Sequence, residues 1–247
     1  MTLAVRDSRL VLVIGGTRGT GRLIAGLLER QGVAVRVLAR DPAGAATELG
    51  PAIEVVAGDI TRESTLPQAI EGASHIVFTA GCRSGHPVRE AKIKATEYGG
   101  VVNTLAAARR VGFAGRFLYM TSSSVGTRSF WTFSLNLYKG NTLVWRHRAE
   151  AEIRASGLAY TIVRAGVLVN RPGGVREIEL TQRQLPLSPW HRIARADVAD
   201  AFVAALDHPR ATRTTFELIW ARGPRRRSWD ALLESLASEP ATIVREP

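Results

Sequence analysis

Cysteine is all but missing from this chain of 247 residues. Cys82 stands alone, so no internal disulfide can close and no multi-cysteine metal site can be assembled; no metal is expected. Lysine is nearly as scarce, confined to positions 92, 94 and 139, and the formal net charge of +11 is therefore carried almost wholly by arginine. One dense run occurs, Arg225-Arg226-Arg227, but the other arginines are scattered and no nucleic-acid-binding module accompanies them. The excess reads partly as compositional drift and partly as a response to an anionic cofactor, with nucleic acid an unlikely partner. No apolar run approaches the ~20 residues that cross a bilayer, and Met1 to Arg9 lacks the apolar core of a signal peptide. No membrane insertion and a cytoplasmic setting are the expectation. Ser/Pro-rich linkers and internal repeats are absent too. The length suits one α/β domain with a sizeable core, residues 1–247, and is short for two.

What is present is organised around residues 11–24, Val-Leu-Val-Ile-Gly-Gly-Thr-Arg-Gly-Thr-Gly-Arg-Leu-Ile. Leu10 to Ile14 is wholly apolar, as a central strand of a parallel sheet covered on both faces would be. Gly15, Gly19 and Gly21 follow in a G-x-x-x-G-x-G spacing that lets the backbone turn, approach a pyrophosphate and seat a helix against the strand. In that helix Leu23, Leu27 and Leu28, with Ile24 beside them, form the face expected on the sheet. Free N–H groups and the dipole at its start favour phosphate. Strand, glycine turn and helix in this order predict dinucleotide binding.

The second strand, Val33 to Arg40, is reached through Gly32 as a helix end. An NAD site usually carries an acidic residue after this strand, whereas arginine accommodates a 2′-phosphate. Here Ala39-Arg40 occupies the place and Arg18 can point to it, so NADP is the expected cofactor. Asp41, followed by Pro42, reads as a helix N-cap. Ile53 to Ala57 is a third strand; the following Asp59-Ile60 suits the edge and face of adenine, or Asp59 caps the next turn. His75 to Thr79 is the fourth strand, and Ala80-Gly81 lets the chain lie close to a ligand. Arg83 to Arg89, containing His86, is a polar loop with the makings of a lid. A long helix runs to Arg110 from about Glu90 or Ala95, and Phe117 to Met120 is a fifth strand ending in Thr121-Ser122-Ser123-Ser124. Residues 125–138 hold Phe130, Trp131, Phe133 and Tyr138 without clear period, either an apolar lid or a loop packed on the core. A helix from Asn141 to Ala155, a strand over residues 160–163, a Pro/Gly-rich excursion from Asn170 to Trp190, a helix from Asp197 to Leu206, a strand from Thr215 to Trp220 and a helix from Trp229 to Leu236 complete the chain. This is an α/β pattern: a Rossmann-type doubly wound parallel sheet, core about 10–168, with a small C-terminal substrate-covering region, about 169–247.

Further blocks sharpen the picture: residues 140–150 (Gly-Asn-Thr-Leu-Val-Trp-Arg-His-Arg-Ala-Glu), Ser156-Gly157, residues 160–166 (Tyr-Thr-Ile-Val-Arg-Ala-Gly), residues 173–177 (Gly-Gly-Val-Arg-Glu) and residues 194–199 (Ala-Arg-Ala-Asp-Val-Ala). Over nearly its whole length the chain resembles an atypical short-chain dehydrogenase/reductase of the NAD(P)H-binding, NmrA-like kind, in a plant and bacterial subgroup related to sanguinarine reductase. The resemblance implies that Gly15, Thr17, Arg18, Gly19, Thr20 and Gly21 form the phosphate loop. Arg40 would meet the 2′-phosphate, Asp59 and Ile60 the adenine, Ala80 and Gly81 the ribose, and Ala165 and Gly166 the nicotinamide.

Family enzymes protonate a carbonyl with the Tyr of a Tyr-x-x-x-Lys pair, whose Lys holds the nicotinamide ribose. Counting back from Ser156 and Glu150 puts Thr142 at the Tyr position and Arg146 at the Lys position. The usual proton donor is missing, while Arg146 keeps the charge that could hold the ribose. Ser122 falls at the family's active-site serine, and Tyr138 is a candidate substitute acid. Three functions stay open: an NADPH-dependent reductase of a small organic carbonyl, iminium or quinone; a non-catalytic NADP-binding sensor or scaffold; and, with least support, an RNA-associated assembly role for the Arg225 run. Either a monomer or a homodimer is compatible with the sequence.

Overall fold

The computed structural model describes residues 7–82 and 89–240; the expected lid residues 83–88, with His86, lie outside that range. The first half alternates strand and helix: β1 (Asp7–Ile14), α1 (Gly19–Arg30), β2 (Val33–Ala39), α2 (Pro42–Leu49), β3 (Glu54–Ala57), α3 (Pro67–Ile70) and β4 (His75–Phe78). One helical stretch follows, formed by α4 (Glu90–Ile93), a π-helical turn (Lys94–Gly99) and α5 (Gly100–Arg110). Next come β5 (Arg116–Ser122), α6 (Phe130–Tyr138), α7 (Thr142–Ala155), β6 (Ala159–Ala165), β7 (Val167–Val169), β8 (Arg176–Thr181), β9 (Arg192–Ala194), α8 (Arg195–Ala205), β10 (Thr214–Pro224) and α9 (Trp229–Leu233).

Among the described residues the main sheet has the order β3-β2-β1-β4-β5-β6-β10-β8, with β7 and β9 pairing apart from it. All neighbours are parallel except β8, which runs antiparallel along β10. The order reverses between β1 and β4, so the crevice for a ligand opens where Gly15 and Ala80 leave those strands.

The apolar character of β1 follows from burial on both faces. Val11 and Val13 belong to one core with Ile24, Leu28, Val37, Val77, Phe202 and Phe216, beneath α1, α8 and α9. Leu12 and Ile14 belong to a second core with Ile70, Phe78, Leu105, Phe117, Tyr119 and Ile153, beneath α3, α5 and α7. The sheet-facing stripe of α1 differs from the expected one: Gly21, Ile24, Ala25 and Leu28 are buried, whereas Leu23 is 40% exposed and Leu27 only partly buried. The close seat that Gly21 needs on Gly15 rotates the helix so that positions i, i+3, i+4 and i+7 face inward. Asp41 caps α2 as expected, accepting from the Gly44 N–H at 3.1 Å. The aromatic stretch after residue 125 is neither core nor loop. Ser129 and Thr132 close a reciprocal capping box that starts α6, and Phe130, Trp131, Phe133 and Tyr138 are exposed.

Two of the blocks that carried the family resemblance, residues 173–177 and 194–199, meet in space. Asp197, buried at the start of α8, accepts from the Gly174 N–H and from Trp220 Nε1, each at 2.7 Å. A Cβ on Gly173 would come 2.9 Å from Ala196 Cβ. The glycine pair and the Arg-x-Asp-Val-Ala block therefore form one clamp that holds the loop after β7 onto α8.

Candidate cofactor and substrate site

The phosphate loop is shaped by two glycines that have no room for a side chain. Gly15 leaves β1 at φ 87°, a left-handed conformation unfavourable to other residues, and a Cβ there would lie 2.7 Å from the Ala80 nitrogen. A Cβ on Gly21 would lie 2.3 Å from the Gly15 carbonyl oxygen and 2.5 Å from Thr79 Oγ1. The first N–H groups of α1 have no partners inside the helix, and Arg18 at its N-cap provides no side-chain cap. Thr20, in the first turn, is buried with its Oγ1 lacking a hydrogen-bond partner among the described residues. A tight glycine cradle, open amides and an orphaned hydroxyl together fit the diphosphate of a dinucleotide.

Arg18 and Arg40 are exposed, as a contact to a 2′-phosphate requires. Asp59 takes up the turn-capping role that stood beside the adenine contact: its Oδ1 accepts from both the N–H and the hydroxyl of Thr61 at 2.9 Å and braces the turn after β3. Partial burial opposes its ionisation, but those hydrogen bonds and the charges of Arg40 and Arg62 hold its carboxyl below the usual range. Ile60 packs on α5, where a Cβ on Gly100 would meet its Cδ1 at 2.8 Å, and Asn103 Nδ2 donates to its carbonyl at 2.8 Å.

A cavity of about 980 Å³ opens at the C-terminal ends of β5 and β6. Its wall includes Cys82, Ser122, Thr142, Arg146, Ala165 and Gly166, with Trp131, Leu135, Trp190 and Leu168 supplying apolar cover. Sequence reasoning missed the residue that ties this wall together. Glu97 lies in the π-turn between α4 and α5 and is only 3% exposed; such turns often mark functional positions. Arg146 donates to it twice, Nε to Oε2 and Nη2 to Oε1, both at 3.0 Å. Thr142 donates its hydroxyl to Oε2, and the Cys82 N–H reaches Oε1 at 3.4 Å. Burial opposes ionisation of Glu97, but the Arg146 charge and these hydrogen bonds outweigh it, so the carboxyl stays below the usual range. For Arg146, burial is likewise overcome by Glu97, which makes the guanidinium harder to deprotonate.

The third arm of Arg146 defines the chemistry. Its Nη1 donates to Ser122 Oγ at 3.1 Å. A guanidinium can only donate, so Ser122 accepts there and its own O–H is left to donate elsewhere. Arg146 thus acts first on Ser122 and Glu97. Three of its five N–H groups are engaged by the described residues, which leaves two. It also lies beside Gly81, where a Cβ would be 3.3 Å from Nη2. Gly166 is equally confined, a Cβ there falling 2.3 Å from the His191 carbonyl oxygen.

The structure does not bring Tyr138 to this wall. It is 59% exposed, and α6 instead lends Trp131 and Leu135, with Lys139 just beyond its end. Trp131, Leu135 and Lys139 follow one another at i, i+4 and i+8 along the cavity side, and Tyr138 is not among the lining residues.

A second buried network supports the serine loop from beneath. Ser123 Oγ donates to Glu217 Oε2 at 2.6 Å, and burial pushes the Glu217 carboxyl up despite that bond and nearby Arg164. Glu150 binds Arg164 through Nε at 3.1 Å and Nη2 at 2.6 Å, and also receives Arg154 at 3.2 Å. The Glu150 of the helical block is thus a partner of the strand arginine, with no part in the cavity wall.

A mostly parallel sheet of Rossmann order, a glycine cradle at its switch point and an adjoining cavity define a dinucleotide-binding protein. Residues 15–209 match the NAD(P)H-binding family, and the chain belongs to it. It is 30% identical to sanguinarine reductase of Eschscholzia californica over 252 aligned residues, covering 87% of this chain and 91% of that protein. Solved structures share the fold. A Bacillus halodurans protein assigned to the NAD-dependent epimerase/dehydratases superposes with a TM-score of 0.76 at 23% identity, covering 92% of this chain and all of that one. An anaerobillin reductase from Escherichia coli O157:H7 superposes with a TM-score of 0.69 at 23% identity, covering 85% and 96%. No helix among the described residues is long and apolar enough to cross a membrane.

Proposed function

We propose that this chain is an NADPH-dependent reductase of a small organic carbonyl, iminium or quinone compound. The observation that carries this reading is the Ser122 hydroxyl, held by Arg146 on a cavity wall between the small residues Gly81 and Ala165. Bound with its diphosphate on the glycine loop, the reduced nicotinamide supplies a hydride. Ser122 donates a hydrogen bond to the substrate oxygen, where negative charge grows as the carbon is reduced. Arg146 fixes the direction of that donor, and Glu97 fixes Arg146. Water at the cavity mouth delivers the proton to a carbonyl oxygen; an iminium carbon needs none on oxygen, so the loss of tyrosine at position 142 is tolerated. Trp131, Leu135 and Trp190 cover an apolar, planar substrate. Arg18 and Arg40 favour NADP through charge-assisted hydrogen bonds to its 2′-phosphate. The names of two relatives, a sanguinarine reductase and an anaerobillin reductase, support reduction as the reaction class.

One observation favours a second reading, an NADP-binding sensor or scaffold without turnover: Thr142, at the tyrosine position, gives its hydroxyl to Glu97 and so has none for a substrate. Titration with NADPH and NADH, followed by a screen of NADPH oxidation against quinones, aldehydes and iminium compounds, separates the two. Binding with oxidation in any class supports the reductase; tight binding with none supports the sensor.

A further inference from the structure

Arg195 opens α8 at the edge of the phosphate loop, and its surroundings are unusual for a guanidinium. It is half-buried, yet no carboxylate pairs with it among the described residues. Its hydrogen-bond partners are neutral: Nη1 donates to Asn170 Oδ1 at 2.7 Å and, more weakly, to the Leu168 carbonyl at 3.4 Å. The side chain faces Gly19, where a Cβ would have Arg195 Nε as its near neighbour at 3.9 Å. It also borders both the substrate cavity and a groove that runs along α1 past Gly19. A fixed cation therefore stands against the positive end of α1, whose N-cap side chain provides no cap and whose buried Thr20 hydroxyl has no partner among the described residues. Like potentials facing one another across a gap repel, and an anion between them converts that repulsion into attraction on both sides.

We infer that Arg195 is a binding residue for the cofactor diphosphate, clamping it onto the glycine loop from the C-terminal side. This rests on the dinucleotide reading of the loop and extends it. Asn170 and the Leu168 carbonyl hold the guanidinium in place, and the Asp197 clamp on Gly174 fixes the first turn of α8 that carries it. The contact is common to NAD and NADP, in contrast to Arg18 and Arg40, whose expected partner exists only in NADP.

The test is isothermal titration of the full chain, its Arg195→Met variant and its Arg195→Lys variant with NADPH and NADH at several salt concentrations, with thermal melting of each variant to verify folding. A charge-assisted hydrogen bond to a diphosphate corresponds to roughly a tenfold or larger loss of affinity. The expected result is that Arg195→Met weakens both dinucleotides by a similar factor and flattens the salt dependence of binding, while Arg195→Lys restores part of each. A loss confined to NADPH would reassign Arg195 to the 2′-phosphate and overturn the inference. Unchanged affinities, with or without a raised KM for a reducible substrate, would overturn it too. Failure of the unmutated chain to bind either dinucleotide would instead remove the reading on which it rests.

Discussion

Replacing Glu97 by Gln tests whether the cavity wall is held by a buried ion pair. The carboxylate side chain is 4% exposed and its arginine partner 18% exposed. Glutamine keeps one acceptor and sets an NH2 group against donors that the second oxygen now satisfies, the Arg146 guanidinium and either the Thr142 hydroxyl or the Cys82 N–H. Breaking a fully buried pair costs about 3–5 kcal/mol. Here Arg146 keeps some solvent and one strong bond survives, so a loss of about 2 kcal/mol is expected, which for a chain of this size lowers Tm by roughly 4–8 °C. The pH dependence has a definite sign. A carboxyl whose folded pKa is depressed stabilises the fold above its unfolded pKa, and that contribution disappears as pH falls through the folded value. The gap in Tm between the parent and Glu97→Gln is therefore full near neutrality and closes as the solution is acidified below the usual carboxylate range. Scanning calorimetry across that range is the assay. Adding Arg146→Met should cost less than the two single changes together, because the cation stranded in Glu97→Gln is removed. A Glu97→Gln protein as stable as the parent at neutral pH, or a gap that widens in acid, would refute the ion-pair account.

The other expectations concern binding and turnover. Gly21→Ala puts a methyl group 2.3 Å from the Gly15 carbonyl oxygen; it should abolish dinucleotide binding by titration and destabilise the fold by about 1–3 kcal/mol through overpacking. Replacing Arg18 and Arg40 together by neutral residues should erase any preference for NADPH over NADH while leaving NADH affinity nearly unchanged, and equal affinities in the parent would dispose of their role at once. Ser122→Ala should leave NADPH binding intact and lower kcat by about 10²–10³ on a carbonyl substrate, the usual loss for one donor to a developing oxyanion.

The scaffold was largely readable because its signals are local. The apolar run 10–14 of β1, the glycine spacing after it and the alternation of strands with helices each encode a backbone requirement within a few residues. The wall of the cavity was legible only in part. Ser122 and Arg146 came from position along the resembling blocks, and the structure brings them within hydrogen-bond distance. Glu97 went unnoticed because a single glutamate beside Tyr98 looks like the solvated edge of an amphipathic helix. The wide π-turn that sets it facing Arg146 has no simple periodic signature. Leu23 misled for the opposite reason: its apolar character says nothing of the rotation imposed on α1 by contact between Gly21 and Gly15. Tyr138 was chosen for its chemistry and proximity in sequence, yet it is exposed and does not line the cavity. The roles of Arg195 and Glu217 depend on partners far along the chain, near Gly19 and at Ser123, and no local pattern could have supplied them.

The reductase reading is tested most directly in a single-turnover experiment. Protein preloaded with NADPH is mixed with quinones, aldehydes and iminium compounds in turn, and loss of the reduced nicotinamide is followed for the parent and for Ser122→Ala. The account predicts oxidation with at least one of these classes, and a rate on carbonyl substrates that falls by about two to three orders of magnitude in the variant. An NADPH-saturated parent that oxidises none of them, or a variant as fast as the parent on every carbonyl substrate, would contradict it.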